Sequence, residues 1–320
     1  MLILKNKLMY CLLIIITIIY SLILLTDNDF IYRISIIKSI DNCKRIEYYQ
    51  TGVGLNKSYT ITLISIYFPS NKNAYEKKIF ENMLSSIDQP LIVFTDFSSN
   101  SLTFKKRQNL NLPTTIVSYD NLWCLMKQLE TSRNRSYIND YVFKMESSSQ
   151  IALENLKPFV LNLSSSLNIY QSDLFMYLDW DTFKDGPISY WPDISLCLKL
   201  LNKLKNSILF GRISKSIVQT KFFVAKQKKI NDFAFHFYSL HDKLLHSHFI
   251  KWQKRQIYDV FYFHNKNLIV DLNVVNLLDK TLICNNDTTT INYQYLYKFY
   301  FEINNYYPCN KKYDKLSLIY

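Results

Sequence analysis

Short runs rich in β-branched and aromatic residues alternate along this chain with amphipathic helical patterns. Tyr59–Phe68 and Leu91–Thr95 each predict a buried strand, and Ala74–Ile87 between them has apolar residues at helical spacing. A third strand is predicted at Thr114–Ser118. Because strand, helix and strand in this order close into right-handed crossovers, the sequence predicts an α/β fold with a mainly parallel sheet flanked by helices.

The pattern continues through the second half of the chain. Leu122–Leu163 predicts two or more helices, and the uninterrupted apolar run Leu174–Leu178 predicts a buried strand. Further elements are predicted as a helix at Ile194–Leu204, strands at Ser207–Phe210 and Lys221–Ala225, and a long helix at Ile230–Phe249. With 320 residues, of which 48% are hydrophobic, the chain is long enough to bury a full core.

Two carboxylates follow the Leu174–Leu178 strand directly, in the order Asp179-Trp180-Asp181. In an open α/β sheet, ligands bind outside the carboxyl ends of the strands, so these acids face a bound ligand. Mn²⁺ and Mg²⁺ prefer carboxylate oxygens and often bridge them to substrate phosphates. We therefore predict that Asp179 and Asp181 bind Mn²⁺ or Mg²⁺ at a nucleotide-diphosphate site. The alternative is a chance match, since acids at this spacing recur in a chain of this length.

Glycine and charge usage exclude several classes of protein. The chain has four glycines, too few for a P-loop or a dinucleotide-binding fingerprint, so metal and side chains would have to hold any phosphate. The net charge is +12, but the basic residues are scattered and form neither a stripe nor a known motif. We predict no nucleic-acid partner, and we expect short basic clusters such as Lys105–Arg107 to be solvated.

The first residues predict a membrane anchor. Leu8–Leu25 contains no charge and is long enough to cross a bilayer, and the preceding Lys5 and Lys7 predict a cytoplasmic N-terminus. The sequence thus predicts a single-pass type II membrane protein of the Golgi or endoplasmic reticulum. Its parts would be a cytoplasmic tail at 1–7, an anchor at 8–25, a stem at 26–57 and a lumenal domain at 58–320. A cleaved signal peptide is the alternative.

Cysteine and histidine spacing argues against a zinc site. Beyond the anchor the cysteines are an odd set without a C-x-x-C pair, namely Cys43, Cys124, Cys197, Cys284 and Cys309. In an oxidising lumen, one or two disulfides and a spare thiol fit this set, and the pairing stays open. The histidines between 236 and 248 do not share one helical face, so we expect them to be exposed or capping.

A series of short segments, in a fixed order, resembles one family. The segments are Thr62–Phe68, Pro90–Asp96, Leu174–Asp179, Phe183–Asp185, Trp191–Pro192, Lys221–Ala225, Phe237–Asp242 and Arg255–Gln256. Together they are similar to the HtrL/YibB (WlaTC) family. The resemblance implies a GT-A-like fold and a glycosyltransferase that moves a sugar from a nucleotide-sugar donor to a glycan or glycoconjugate acceptor. Asp179 matches the acid of the family's motif, whereas Asp181 and Lys184 stand where the family carries Gly and Arg.

Other residues at strand ends are candidates for the donor site. Tyr67, Phe68 and Asp96 end the first two predicted strands, where they would stack on the base and bond to the base or ribose. Lys184 and Arg212, each just beyond a strand or turn, would neutralise the diphosphate. The alternatives are ordinary core and turn roles for the first three residues and a solvated surface role for the two cations.

The sequence identifies neither a single catalytic base nor the activity itself. An inverting transfer needs an acid near the acceptor, and Asp232 and Asp242 are weak candidates. Because Asp181 and Lys184 depart from the family, the alternative function is an inactive GT-A-like module that is tethered to the membrane and binds glycan or protein. A third function is a membrane-tethered interaction protein without a ligand.

Overall fold

The computed structural model describes most of the chain between residues 43 and 273. The described residues are 43, 47–51, 57–69, 74–144, 148–184, 186–187, 191–192, 194, 197–198, 204, 207–212, 218–246, 256–265 and 268–273. The predicted tail and anchor, residues 1–25, and most of the predicted helix at 194–204 lie outside this set. Among the described helices, none is both long enough and apolar enough to span a membrane.

Strands and helices alternate as the sequence predicts. The strands are β1 (Glu47–Thr51), β2 (Ile61–Tyr67), β3 (Leu91–Asp96), β4 (Thr114–Tyr119), β5 (Leu174–Leu178), β6 (Ile208–Arg212), β7 (Val218–Lys226) and β8 (Ile269–Asn273). The helices are α1 (Ala74–Ser86), α2 (Phe97–Asn109), α3 (Leu122–Arg133), α4 (Ile138–Lys144), α5 (Ser148–Leu167), α6 (Gln227–His246) and α7 (Gln256–His264), with a 3-10 helix at Trp180–Phe183.

All these strands belong to one sheet, in the order β1-β4-β3-β2-β5-β7-β6-β8. β1 and β7 run against their neighbours, and the other strands run in one direction. The predicted α/β fold with a mainly parallel sheet flanked by helices is thus confirmed. β5 lies in the interior of the sheet, between parallel β2 and antiparallel β7.

β1 corrects the predicted boundary of the stem. Glu47–Thr51 falls within the predicted stem at 26–57, yet it pairs with β4 as an antiparallel edge strand. Just before it, Cys43 forms a disulfide with Cys124 of α3, across 81 residues of sequence. This part of the predicted stem therefore belongs to the folded domain.

The sheet separates two apolar layers. Successive strand residues point to opposite faces, so Phe175 and Tyr177 of β5 enter one buried cluster while Met176 and Leu178 enter the other. The first cluster includes apolar residues of α3, α5 and α6, and the second includes those of α1. This two-layer burial fixes the register of β5 and therefore the place where Asp179 leaves the sheet.

Arg107 is an exception to the expectation that the basic clusters are solvated. It is fully buried at the C-terminal end of α2, and burial lowers its pKa to about 9. Its guanidinium donates to the Thr114 hydroxyl and to the carbonyl oxygens of Leu84, Ile87, Gln89 and Pro113. The side chain thus ties α2 to the turns before β3 and β4, and the solvated assignment is wrong for this residue.

We predict that Arg107→Ala lowers the free energy of unfolding by about 3 kcal/mol, because buried carbonyl oxygens lose a charged donor. Lys105→Ala is the matched control, since Lys105 is exposed on the same helix, and we expect a change within about 0.5 kcal/mol. Urea denaturation measures both variants. Equal stabilities for the two would contradict the structural role of Arg107.

Candidate functional site

Asp179 and Asp181 follow β5 directly, on the side of the sheet where the parallel strands have their carboxyl ends. We call this side the carboxyl edge. The Asp179 backbone N–H donates to the carbonyl oxygen of Lys221 on β7 at 2.9 Å, which extends the β5–β7 ladder by one residue. The Asp179 carbonyl oxygen accepts from the backbone N–H of Thr182 at 3.2 Å and from its hydroxyl at 2.6 Å. These bonds hold the 3-10 turn, so the two acids have a fixed position beside β7.

The Asp179 carboxylate is largely buried and carries two short hydrogen bonds. Its Oδ2 accepts from Lys157 Nζ at 2.7 Å and its Oδ1 from the Tyr177 hydroxyl at 2.6 Å. The side chain is 15% exposed. Burial raises the pKa of Asp179 to about 6, and nearby Glu154 and Asp181 add to this rise while Lys157 opposes it. A hydrogen bond to each carboxylate oxygen thus holds the Asp179 side chain in one orientation.

Lys157 of α5 is the cation that this buried acid pairs with. Its side chain is 3% exposed, and Nζ lies 2.7 Å from Asp179 Oδ2, 2.9 Å from Glu154 Oε2 and 3.1 Å from the Thr220 carbonyl oxygen. Burial lowers the pKa of Lys157, but the attraction of Asp179 and Glu154 outweighs it, so the pKa is raised. Asp179 and the Thr220 carbonyl oxygen accept hydrogen bonds from this ammonium, and Glu154 adds an ion pair.

Asp181 and Lys221 form the outer ion pair of the site. Asp181 Oδ2 accepts from Lys221 Nζ of β7. The Asp181 side chain is 43% exposed and that of Lys221 is 15% exposed. Asp181 Oδ1 is buried and has no hydrogen-bond partner among the described residues. The two acids therefore differ, because Asp179 is enclosed by its partners and Asp181 faces the edge.

A divalent cation shared by Asp179 and Asp181 does not fit these contacts. Tyr177 and Lys157 occupy both oxygens of Asp179, and Lys221 occupies one oxygen of Asp181. The ammonium groups of Lys157 and Lys221, each bonded to one of these two carboxylates, would repel a divalent ion. Within the described part of the chain, no group of three or more His, Cys, Asp or Glu residues is placed to hold a metal. The predicted Mn²⁺ or Mg²⁺ role of this pair would require both lysines to move.

The two aromatic candidates at the end of β2 divide between the two faces of the sheet. Tyr67 is buried and its ring stacks on Phe80 of α1 at 3.8 Å, while Trp180 meets it edge-on at 5.2 Å. Burial, followed by the charges of Glu76 and other acids, raises the pKa of Tyr67 to about 12. Phe68 is half-buried against the first cluster. Tyr67 thus positions Trp180 beside Asp179, and its own stacking partner is Phe80.

Asp96 and the two candidate cations have different surroundings. Asp96 Oδ1 caps α2 by accepting from the Ser99 backbone N–H at 2.8 Å and from the Ser98 hydroxyl at 2.9 Å, the turn role left open above. Lys184 is half-buried and follows the 3-10 helix. Arg212 is the last residue of β6, and its backbone pairs with Val218 of β7. Since β5 and β6 both run against β7, Arg212 lies at the same edge as Asp179.

Asp242 belongs to a charged network between α3 and α6. Its Oδ1 accepts from the Tyr137 hydroxyl at 2.9 Å and lies 3.2 Å from Arg135, and its Oδ2 accepts from Arg133 at 3.3 Å. Burial alone would raise the pKa of Asp242, but hydrogen bonds from His241 and Tyr137 and the charge of Arg135 lower it to about 2. An acid with so low a pKa is a poor proton acceptor, so the structure does not support Asp242 as the base.

Two residues of α6, His241 and Asp232, differ in the structure from their predicted roles. His241 is fully buried rather than exposed or capping, and its Nε2 lies 2.6 Å from the Tyr141 hydroxyl. Asp232 pairs with Lys229 on the surface at 2.8 Å. It lies soon after Lys226, which pairs with Leu174 at the start of β5, so Asp232 is near the opposite edge of the sheet from Asp179. The structure does not bring this candidate base to the predicted site.

Lys157, Tyr177 and Lys221 are the site residues that sequence reasoning missed. Tyr177 carries a local signal, because residues two apart on a strand share a face and Tyr177 precedes Asp179 by two. Lys157 lies 22 residues before Asp179 in an otherwise amphipathic helix, and Lys221 lies 40 residues after Asp181. No spacing rule links these lysines to the acids, because the packing of α5 and the reversal of β7 create the contacts.

No protein-family model matches the sequence, and no curated protein does. Solved structures that resemble the fold include 4-diphosphocytidyl-2C-methyl-D-erythritol synthase from Anaerococcus prevotii, with 13% identity, 67% of this chain and 86% of that chain covered, and a TM-score of 0.35. Another is Rv0371c from Mycobacterium tuberculosis in complex with manganese, with 8% identity, coverages of 68% and 89%, and a TM-score of 0.30. Likenesses at this level show neither a family nor an activity for this chain.

The Asp242 network predicts a pH-dependent contribution to stability. The pKa is lowered from 3.8 to about 2, so the contribution is present above about pH 4 and is lost as the pH falls towards 2. We expect Asp242→Asn to lower the free energy of unfolding by about 2 kcal/mol at pH 7. Urea denaturation from pH 7 to pH 2 should show this difference narrowing below pH 4. A difference that is constant with pH would contradict the assignment.

The buried pair predicts a second effect on stability. Lys157→Met leaves the Asp179 charge buried without its cation, and we expect a loss of about 3–5 kcal/mol. In the double variant Lys157→Met, Asp179→Asn, the charge is gone as well, so part of that loss should be recovered. Chemical denaturation of both variants at pH 7 tests this. Equal or greater loss in the double variant would show that the charge of Asp179 is not what Lys157 compensates.

Proposed function

We propose that this chain is a GT-A-like glycosyltransferase that moves a sugar from a nucleotide-sugar donor to a glycan or glycoconjugate acceptor. The observation that carries the proposal is the placement of Asp179 and Asp181 directly after interior strand β5, at the carboxyl edge of a mainly parallel sheet. Ligands of open α/β sheets bind at this edge. The resemblance to the HtrL/YibB family, which includes Asp179, supports the same assignment.

The rigidity of the site also supports an enzyme. Asp179 is held by a side chain from α5, another from β5 and a backbone bond from β7. Charged groups held in place before a reaction stabilise developing charge without reorganising, and this is the main electrostatic contribution to catalysis in many enzymes. Among these fixed charges, the lysine ammonium groups are the ones that suit a reaction whose leaving group is a nucleoside diphosphate.

In the proposed reaction, an acceptor hydroxyl oxygen forms a bond to the anomeric carbon of the donor sugar. The bond from that carbon to the diphosphate oxygen breaks, and its electron pair stays on the departing nucleoside diphosphate. The acceptor proton passes to a base or to solvent. Trp180 and Lys221 border Asp179 and are the side chains that would line the diphosphate end of the donor.

We also propose that the domain is lumenal, behind the type II anchor predicted at 8–25. The Cys43–Cys124 disulfide supports this placement, because disulfides persist in oxidising compartments.

The second candidate function is an inactive module that binds a glycan or a protein. One observation favours it, since each acid of the predicted donor site already pairs with a lysine.

Calorimetric titration of the full chain in detergent with UDP, GDP and CMP, together with an assay for nucleotide release from nucleotide sugars, tests the proposal. We predict that one of these nucleotides binds and that Trp180→Ala, which removes a side chain bordering the diphosphate end, weakens binding at least tenfold, about 1.4 kcal/mol. Asp232→Asn, at the opposite edge, is the matched control and should bind as the wild type does. No nucleotide binding would refute the function, and binding without sugar transfer to any acceptor would favour the inactive module.

A further inference from the structure

The two lysines at the carboxyl edge differ in what they can contact. Lys157 is 3% exposed, donates to Asp179 and to the Thr220 carbonyl oxygen, and forms an ion pair with Glu154. It is therefore committed to Asp179 and cannot reach a ligand without leaving that acid unpaired. Lys221 lies on β7 at the carboxyl edge, and its carbonyl oxygen accepts from the Asp179 backbone N–H. Its ammonium forms an ion pair with the half-exposed Asp181. Of the two cations, Lys221 is the one placed beside a ligand at this edge.

A ligand can replace Asp181 in its ion pair with Lys221. Ion pairs that reach solvent contribute only about 0–1 kcal/mol, because water screens them and holding two side chains together costs entropy. A diphosphate carries more charge than one carboxylate and offers several oxygens, and lysine binds phosphate as a point charge. A donor at this edge would thus compete well with Asp181 for the Lys221 ammonium. The buried pair between Lys157 and Asp179 would stay intact during this exchange.

We propose that Lys221 binds the diphosphate of the nucleotide-sugar donor directly, that Asp181 holds the Lys221 ammonium in place in the empty site, and that no metal ion bridges Asp179 and Asp181. This inference rests on the proposed function and names the group that stabilises its leaving group. As the bond between the anomeric carbon and the diphosphate oxygen breaks, the electron pair goes to that oxygen. The Lys221 ammonium offsets the growing negative charge there without itself losing a proton.

The roles of the two acids distinguish this proposal from a metal-dependent site. If Asp181 bound a divalent ion, through the unpartnered Oδ1 or otherwise, Asp181→Asn would abolish nucleotide binding. If Asp181 instead competes with the diphosphate for Lys221, removing its charge leaves binding unchanged or strengthens it. Asp181→Asn is therefore expected to abolish nucleotide binding at a metal site, and to preserve or strengthen it if Lys221 binds the diphosphate.

The test is calorimetric titration of the full chain with UDP and GDP, once in excess EDTA and once with MnCl₂. We expect the dissociation constant in EDTA to lie within about threefold of that with Mn²⁺. Lys221→Gln should weaken binding at least tenfold, Lys221→Arg should restore most of it by keeping the charge, and Asp181→Asn should bind at least as tightly as wild type. Lys229→Gln, which breaks the surface pair with Asp232 near the opposite edge, is the matched control and should have no effect.

The possible results separate this inference from the function beneath it. Binding that requires Mn²⁺ and is lost in Asp181→Asn would overturn the role of Lys221 and leave the proposed function standing. Binding in EDTA that Lys221→Gln does not weaken would also overturn it. Failure of Lys221→Arg to restore binding, with a wild-type melting temperature in that variant, would show that the charge at this position is not what the nucleotide contacts. No nucleotide binding under either condition would refute both proposals.

Discussion

The buried ion pair between Lys157 and Asp179 is the interaction on which the carboxyl edge depends. It joins the helix layer, through α5, to the end of β5, and Lys157 also bonds to the Thr220 carbonyl oxygen of β7. A buried carboxylate without a cation would destabilise the fold by several kcal/mol, so the position of α5 and the charge of Asp179 depend on each other. The Tyr177 hydroxyl completes the shell of this acid. Asp179 in turn holds the 3-10 turn that carries Trp180 and Asp181, because its carbonyl oxygen accepts hydrogen bonds from Thr182.

Exposure increases outward through the charged residues of the site. Lys157 is the most buried, Asp179 and Lys221 are mostly enclosed, and Asp181 is 43% exposed. Buried pairs are costly to separate, whereas exposed pairs exchange partners readily. The inner pair is therefore structural and the outer pair is available to a ligand. This division gives the two acids different roles, although their spacing in the sequence suggests one shared role.

Most of the fold was predictable because the strands β2–β5 are buried on both faces. Runs such as Ile61–Tyr67 and Leu174–Leu178 are almost continuously apolar, and the α1 helix has a clear apolar face. β1 and α2 were not predicted for the opposite reason. Glu47–Thr51 is an edge strand with polar residues at both ends, and α2 is largely polar. The direction of β7 was also out of reach, since a strand pattern does not encode which way the strand runs.

The site was predictable only in part, because the missing contacts join distant segments. The position of Asp179 follows from the end of a buried strand, and this local signal was correct. The buried Arg107 depends on carbonyl oxygens 18 and 23 residues earlier in the chain. The low pKa of Asp242 depends on the neighbouring His241 and on Tyr137 and Arg135, which lie more than 100 residues away. The lysine partners of Asp179 and Asp181 depend on tertiary packing. Side-chain charge alone gave no sign of these pairings.

Lysine ammonium groups lie next to Asp179 and Asp181, where a bridging metal would have to bind. A crystal structure of the protein grown with UDP and Mn²⁺, with diffraction recorded at the manganese absorption edge, tests this arrangement most directly. We expect the diphosphate within hydrogen-bond distance of Lys221 Nζ, an intact contact between Lys157 and Asp179, and no anomalous peak between the two acids. A manganese peak bridging Asp179 and Asp181, with Lys157 and Lys221 displaced, would contradict it.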